Sequence, residues 1–263
     1  MRDLIDRWNV AVRINATSSA EFATRGTTLV SMIAAPLLSL LFVVGLAASL
    51  RSQEIVTTAY AAVLINGVVS MSTAVASGVM RARQGGLIVD TMGRCLARAR
   101  FWLPTAAAPA GANLVMGWVS ALGVFALDAR HESVALAACV ALIPVALVVG
   151  TGVGVFAGGL GLLFADPYLV ANVLSGLLVI TAGVIAPLDT YPQVAGAICA
   201  WLPGSGTVAA FRELVARPWG TAMLALVQDI GVALLLGCAG ILASRLILRA
   251  VRAGRRTVDV FSM

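Results

Sequence analysis

The side chains able to do acid–base, metal or nucleophilic chemistry are few in this sequence and lie far apart. All eighteen basic residues are arginine, and lysine is absent. A phosphate-binding loop of the G-x-x-x-x-G-K-[ST] type needs a lysine to reach the nucleotide phosphates, so the chain carries no standard nucleotide-hydrolysing site of its own. The single histidine, His131, sits in the charged turn Asp128-Ala-Arg130-His131-Glu132 and reads as a solvated loop residue. The cysteines Cys95, Cys139, Cys199 and Cys238 form no C-x-x-C pair, and three of them lie in apolar stretches where a thiol behaves as a small hydrophobe. No Ser-His-Asp set, H-E-x-x-H motif or paired-acid cluster occurs, so neither a catalytic constellation nor a metal or cofactor of its own is expected.

The polar residues that stand out do so by their surroundings. Asn66, Asn113 and Asn172 fall inside or near the ends of long apolar runs, and Asp229 lies in the outer part of the last one. A carboxylate in mid-membrane costs about 3 kcal/mol on insertion scales and less toward the edge. Asp229 therefore needs a partner such as Arg212, or a wet cavity to line. There is no series of carboxylates suited to a proton relay. Gly150, Gly154 and Gly158 recur every fourth residue, the spacing at which a second helix can approach backbone to backbone. That ridge suits packing within the chain, a subunit contact or a substrate path.

The elements that position these residues follow from composition. The 263 residues are 60% hydrophobic and 11% charged, against about 25% charged in a soluble domain. Charges crowd into Met1–Gly26, Arg81–Arg100 and Arg245–Asp259, and the runs between can cross roughly 30 Å of hydrocarbon, which takes about 20 residues. The runs are Thr27–Leu50, Ile55–Met80, Phe101–Leu127, Ser133–Ala165, Tyr168–Leu188 and Gly220–Ser244. Thr190–Phe211 is uncharged but holds Pro192, Gly196, Pro203, Gly204 and Gly206, and reads as broken helices dipping into the outer leaflet. The expected fold is an all-α polytopic membrane protein of six transmembrane helices forming one domain over residues 1–263.

Charge bias orients it. With six spans, fourteen arginines fall on the side of the N-terminus, the loop at 81–100 and the tail at 245–263, and four fall opposite. The positive-inside rule then places both termini in the cytoplasm and the re-entrant region, 189–219, outside. Exclusive use of arginine points to a GC-rich bacterial genome, hence to the bacterial cytoplasmic membrane. Leu4, Ile5, Trp8, Ala11 and Val12 share one helical face, which predicts an interfacial helix and linker over 1–26 resting on lipid. That polar start predicts no removable signal peptide. Trp102, Trp201 and Trp219 fall near expected interfaces, and Trp118 is expected between helices.

The first cytoplasmic loop carries the most information. Arg81, Arg83, Gly86, Leu87, Ile88, Asp90, Thr91 and Arg94 make a short amphipathic stretch between two spans. Leu87, Ile88 and Thr91 can form a docking face ringed by arginine, and the same chemistry would serve a basic loop held to anionic headgroups. In layout the chain resembles the permease subunits of ABC-2-type exporters, above all the daunorubicin-resistance-like group of actinobacteria. The resemblance covers nearly the whole chain and rests on short motifs. Arg81, Arg83, Gly86 and Leu87 match the coupling segment, with Ala82 where an acid is usual and Cys95 where a proline often follows. Gly183, Pro187, Tyr191 and Pro192 match a glycine–proline–proline element near the end of span five. Leu202-Pro203-Gly204-Ser205 is a degenerate N-P-x-T-like element, and Arg212 matches the arginine that follows it.

The resemblance implies a transporter half without chemistry of its own. Two copies of a cytoplasmic P-loop ATPase, carrying ATP and magnesium, would dock on the coupling segment, and a second permease chain would complete the pathway. The missing acid and asparagine suggest that this second chain is non-identical. A lipid, hydrophobic drug or amphipathic natural product is the expected cargo, membrane lipid is the expected surrounding, and no nucleic acid is expected as a partner. The alternatives are a secondary transporter or other component without ATP drive, and, less favoured, a membrane enzyme of lipid metabolism.

Overall fold

Long runs without charge have one stable backbone solution away from water, a helix that pairs its own N–H and C=O groups. The computed structural model describes residues 24–34, 37–38, 41, 45, 55–84, 99–184, 190–216 and 219–252. The described residues are 87% helical, and no strand occurs among them. Helix α1, Arg25–Leu29, opens on a capping box in which Thr24 and Thr27 satisfy each other's backbone N–H, and it passes into a π-turn over Val30–Ala34. Then follow α2, Ile55–Gln84; α3, Ala99–Leu127; α4, Ser133–Gly161; α5, Leu169–Thr181; α6, Gln193–Cys199; α7, Ser205–Ala216; and α8, Trp219–Arg252.

Stretches within four of these, Ile55–Arg83, Trp102–Leu127, Ser133–Gly161 and Ala222–Ile247, are long and apolar enough to cross a membrane. With an all-helical fold and a periphery of exposed leucine, valine and isoleucine, they define a multi-pass helical membrane protein. Helix α4 sits at the centre. It packs along α2 on one side and α8 on the other, and also touches α3, α5 and α7. Pro109 and Pro144 lie inside α3 and α4, where each frees a carbonyl one turn back and the helix continues.

Four boundaries and one side chain differ from the sequence expectation. Arg81 and Arg83 belong to the last turn of α2 and not to the loop after it. Arg245, Arg249 and Arg252 continue α8, so the tail begins after a helical extension; arginine is a good helix former and its stem tolerates an apolar flank. The fourth run stops as helix at Gly161, and the fifth stops at Thr181, where Gly183 takes φ 71°. That left-handed residue just past the helix end is the ordinary glycine stop. At thirteen residues α5 is about 20 Å long, short of a full crossing. Trp118 is 42% exposed on the outer face of α3 rather than packed between helices. The segment from Pro192 to Phe211 is broken as expected, into α6 and α7. Residues 1–23 of the interfacial helix and linker expected over 1–26, the tail beyond 252, Pro187, and Gly86, Leu87, Ile88, Asp90, Thr91 and Arg94 lie outside the described residues.

Candidate functional site

The break between α6 and α7 is built by Trp201-Leu-Pro203-Gly204, with Gly204 at φ 93°. Proline cannot donate, and a positive φ favours glycine, so this tetrapeptide ends one helix and redirects the chain into the next. The first turn of α7 then presents N–H groups with no intrahelical acceptor. Asp229, reaching across from α8, supplies one. Its Oδ1 accepts from Gly204 N at 2.8 Å, and its Oδ2 accepts from Thr207 N at 2.8 Å and Thr207 Oγ1 at 2.6 Å. The residue is 3% exposed. A carboxylate at a helix N-terminus also meets the positive end of the helix dipole, which offsets the cost of burying it.

All three of these bonds come from Gly204, just before α7, and Thr207 in its first turn, and none from Arg212, the partner the sequence suggested. Arg212 instead donates Nη2 to Val184 O at 3.1 Å, fastening α7 to the turn after Gly183. Close approach makes the cap possible. A Cβ on Gly206 would stand 2.4 Å from Ala225 O and 2.8 Å from the Asp229 Cβ. Gln228, beside Asp229 on α8, donates Nε2 to Ala200 O at 3.0 Å, and Ser205 Oγ donates to the same carbonyl. On the other flank of α7, Phe211 meets the ring of Tyr60 from α2 at 5.8 Å. Pro192 starts α6 in extended conformation. Gly183, Pro192, Pro203, Arg212 and Asp229 thus belong to one connected region. Thr207 and Gln228 were missed; the polar pair Ser205 and Thr207 just after Pro203 and Gly204 is the signal that marks a helix start needing a cap.

Helix α7 is held firmly and α6 lightly. Ser205, Gly206, Thr207, Val208, Ala210 and Phe211 are buried, whereas α6 buries only Cys199. Val194, Ile198 and Trp201 are 74%, 60% and 67% exposed and follow one another at i, i+4 and i+7, an apolar stripe turned outward.

The glycine ridge packs against α2. A Cβ on Gly150 would lie 2.5 Å from Val68 O, one on Gly154 2.6 Å from Ser72 O, and one on Gly158 3.1 Å from Val79 Cγ2. A second ridge escaped the sequence reading. Gly152 and Gly159 face α8, where added Cβ atoms would stand 2.2 Å from Ala233 O and 2.3 Å from Gly240 O. Helix α4 therefore meets two neighbours at backbone contact, on opposite sides.

The asparagines separate into different roles. Asn113, buried in α3, accepts from Ser70 Oγ of α2 at 2.5 Å and donates Nδ2 to Pro109 O at 2.9 Å. Asn66 is half-buried on α2 and Asn172 is exposed on α5. At the far end of α2, Arg83 donates Nη1 to Phe164 O at 2.9 Å and Gly161 O at 3.3 Å, while Arg81 is half-buried one turn-face away. In the α3–α4 turn, Asp128 accepts from the N–H groups of Arg130 and Glu132, at 2.9 and 3.1 Å, and these bonds hold its carboxyl below the usual range.

Among the described residues no group of His, Cys, Asp or Glu gathers where a metal ion could bind. No family model and no curated protein matches the chain.

Proposed function

We propose that this chain is a permease subunit of an ATP-driven exporter of the ABC-2 type. In this reading the chain has six spans, with both termini in the cytoplasm of a bacterium. The four long helices are joined by a first span over Thr27–Leu50 and a fifth that begins with α5. One observation carries the reading: a pair of short helices, broken at Pro203 and Gly204, stands immediately before the last long helix and is fastened to it by a buried carboxylate. That arrangement supports the layout to which the coupling segment and the Gly183–Pro192 element also point.

The chain hydrolyses nothing in this reading. Two cytoplasmic ATPase subunits dock on Gly85–Arg94, and a second permease, non-identical to this one, shares the pathway. ATP favours the closed ATPase dimer, and a ligand shifts an equilibrium only by its differential affinity for the two states. The docking segment therefore converts ATPase closure into movement of the spans. The cargo is a lipid, hydrophobic drug or amphipathic natural product, in keeping with helices that offer apolar walls.

Affinity purification of the tagged chain in mild detergent, with mass spectrometry and an ATPase assay, tests the reading. Recovery of a soluble P-loop ATPase, whose hydrolysis stops when its own phosphate-loop lysine is replaced, is expected. Recovery of the chain alone under several gentle conditions, without hydrolysis, would overturn the reading in favour of a secondary transporter.

A further inference from the structure

The last turn of α2 and the turn between α4 and α5 are hydrogen-bonded through the Arg83 side chain. Arg83 reaches from α2 to the last carbonyl of α4, Gly161 O at 3.3 Å, and to Phe164 O in the turn that follows, at 2.9 Å. The last carbonyls of a helix lack intrahelical donors, and the helix dipole places partial negative charge there, so a guanidinium is suited to the position in both geometry and sign. Alongside it the Met80 side chain of α2 packs on Gly161, where an added Cβ would lie 2.4 Å from Met80 Cε, and the turn folds back on the same glycine, with Pro167 O at 2.5 Å. Asp166 stiffens the same turn by accepting from Tyr168 N at 2.9 Å, one residue before α5 begins.

These contacts form a short mechanical path. The chain enters the segment at 85–98 directly from α2, and α5 leaves directly from the turn that Arg83 holds. We infer that Arg83 is a positioning residue that carries displacement of the α2 end to α5. The inference rests on the exporter reading, because that reading supplies the displacement. Through Arg83 a push delivered at one cytoplasmic connection reaches the next one, which no covalent link would otherwise share. A lysine keeps the charge but has a single ammonium on an unforked stem, so it holds the two carbonyls less well than a guanidinium.

The experiment uses the complex of this chain with its co-purified ATPase in lipid nanodiscs, in a background with the native cysteines replaced. Spin labels on Leu103→Cys of α3 and Leu169→Cys of α5, both exposed positions, report the separation of the two helices. In the parent, ATP with vanadate is expected to shift the label distance. In Arg83→Ala the nucleotide-free distance stays at the parental value, while the shift, measured on complexes that retain bound ATPase, is lost; Arg83→Lys retains part of it. A full shift in Arg83→Ala overturns the inference. So does a nucleotide-free distance that is already altered or broadened in Arg83→Ala, since that is what a purely structural tie would give. If no ATPase accompanies the parent chain, the exporter reading itself fails and takes this inference with it, an outcome separate from the other two.

Discussion

Gln228 and Asp229, neighbours on α8, grip the two sides of one break in the chain with opposite hydrogen-bonding chemistry. Gln228 donates to Ala200 O at the end of α6, and Asp229 accepts from Gly204 and Thr207 at the start of α7. A helix ends in unsatisfied acceptors and begins with unsatisfied donors. An amide NH2 and a carboxylate, in that order, supply what each side of the break lacks. The position of the broken pair is thereby referred to a single turn of α8.

Removing the carboxylate should loosen α7 without unfolding the bundle. Asp229→Ala leaves the Gly204 and Thr207 N–H groups and the Thr207 hydroxyl without their acceptor, and a buried donor left unsatisfied costs about 1–3 kcal/mol. Asp229→Asn keeps one acceptor oxygen and should lose less. Thermal unfolding in detergent should rank the parent above Asp229→Asn and that variant above Asp229→Ala. An alanine variant as stable as the parent would show that the cap contributes nothing.

The two glycine faces of α4 should respond to alanine by distance. At Gly152 and Gly159 the new methyl would meet backbone at 2.2 and 2.3 Å, atoms that cannot rotate away. Overpacking of this kind costs about 1–3 kcal/mol. At Gly158 the nearest atom is a side-chain methyl at 3.1 Å, and at Gly231 nothing lies within 4 Å. Gly158→Ala should therefore cost less, and Gly231→Ala should stabilise by up to about 1 kcal/mol, the difference in helix propensity. Melting temperatures of the four purified variants, compared with the parent, check the order.

What could be read from the sequence, and what could not, divides by range. The break around Pro203 was legible because Pro192, Gly196, Pro203, Gly204 and Gly206 crowd helix breakers into one short run, whereas the isolated Pro109 and Pro144 leave α3 and α4 continuous. The ridge at Gly150, Gly154 and Gly158 was legible because its period is visible within one helix. Gly152 and Gly159 were not, because their meaning depends on where Ala233 and Gly240 fall in the register of α8. The early end of α5 was hidden because Gly183 lies inside an apolar run, and only its φ distinguishes a stop from a packing glycine. Asp229 declared that it needed a partner but not which one; its donors lie 22 and 25 residues back. Arg83 declared only a charge, and its two acceptors are carbonyls, which every residue has.

Acid should weaken the α3–α4 turn. Asp128 lies outside the spanning helices, and the N–H groups of Arg130 and Glu132 hold its folded pKa below the ordinary value. A group with a depressed folded pKa contributes stability that is present above its unfolded pKa, near about 4. The contribution is lost as pH falls through the lowered folded value. Melting temperature should therefore fall on acidification below that range, and the fall should be shallower in Asp128→Asn. Equal acid slopes in the two proteins would remove Asp128 from the account.

The docking role assigned to Leu87 and Ile88 makes the sharpest demand on the exporter reading. Both are apolar residues in a segment bordered by Arg81, Arg83 and Arg94, between two helices long and apolar enough to cross a membrane. If they seat in an apolar hollow of an ATPase, an aspartate there must either keep its water and hold the surfaces apart or give up its hydration at a cost of several kcal/mol. Leu87→Asp with Ile88→Asp should insert in the membrane at parental level, yet recover much less ATPase and export no more than background. If these residues only rest on anionic headgroups, the same pair of charges would weaken lipid contact and leave ATPase recovery and export intact. Co-purified ATPase per permease chain, measured beside membrane abundance, separates the two, and unchanged export in the double variant would end the docking role.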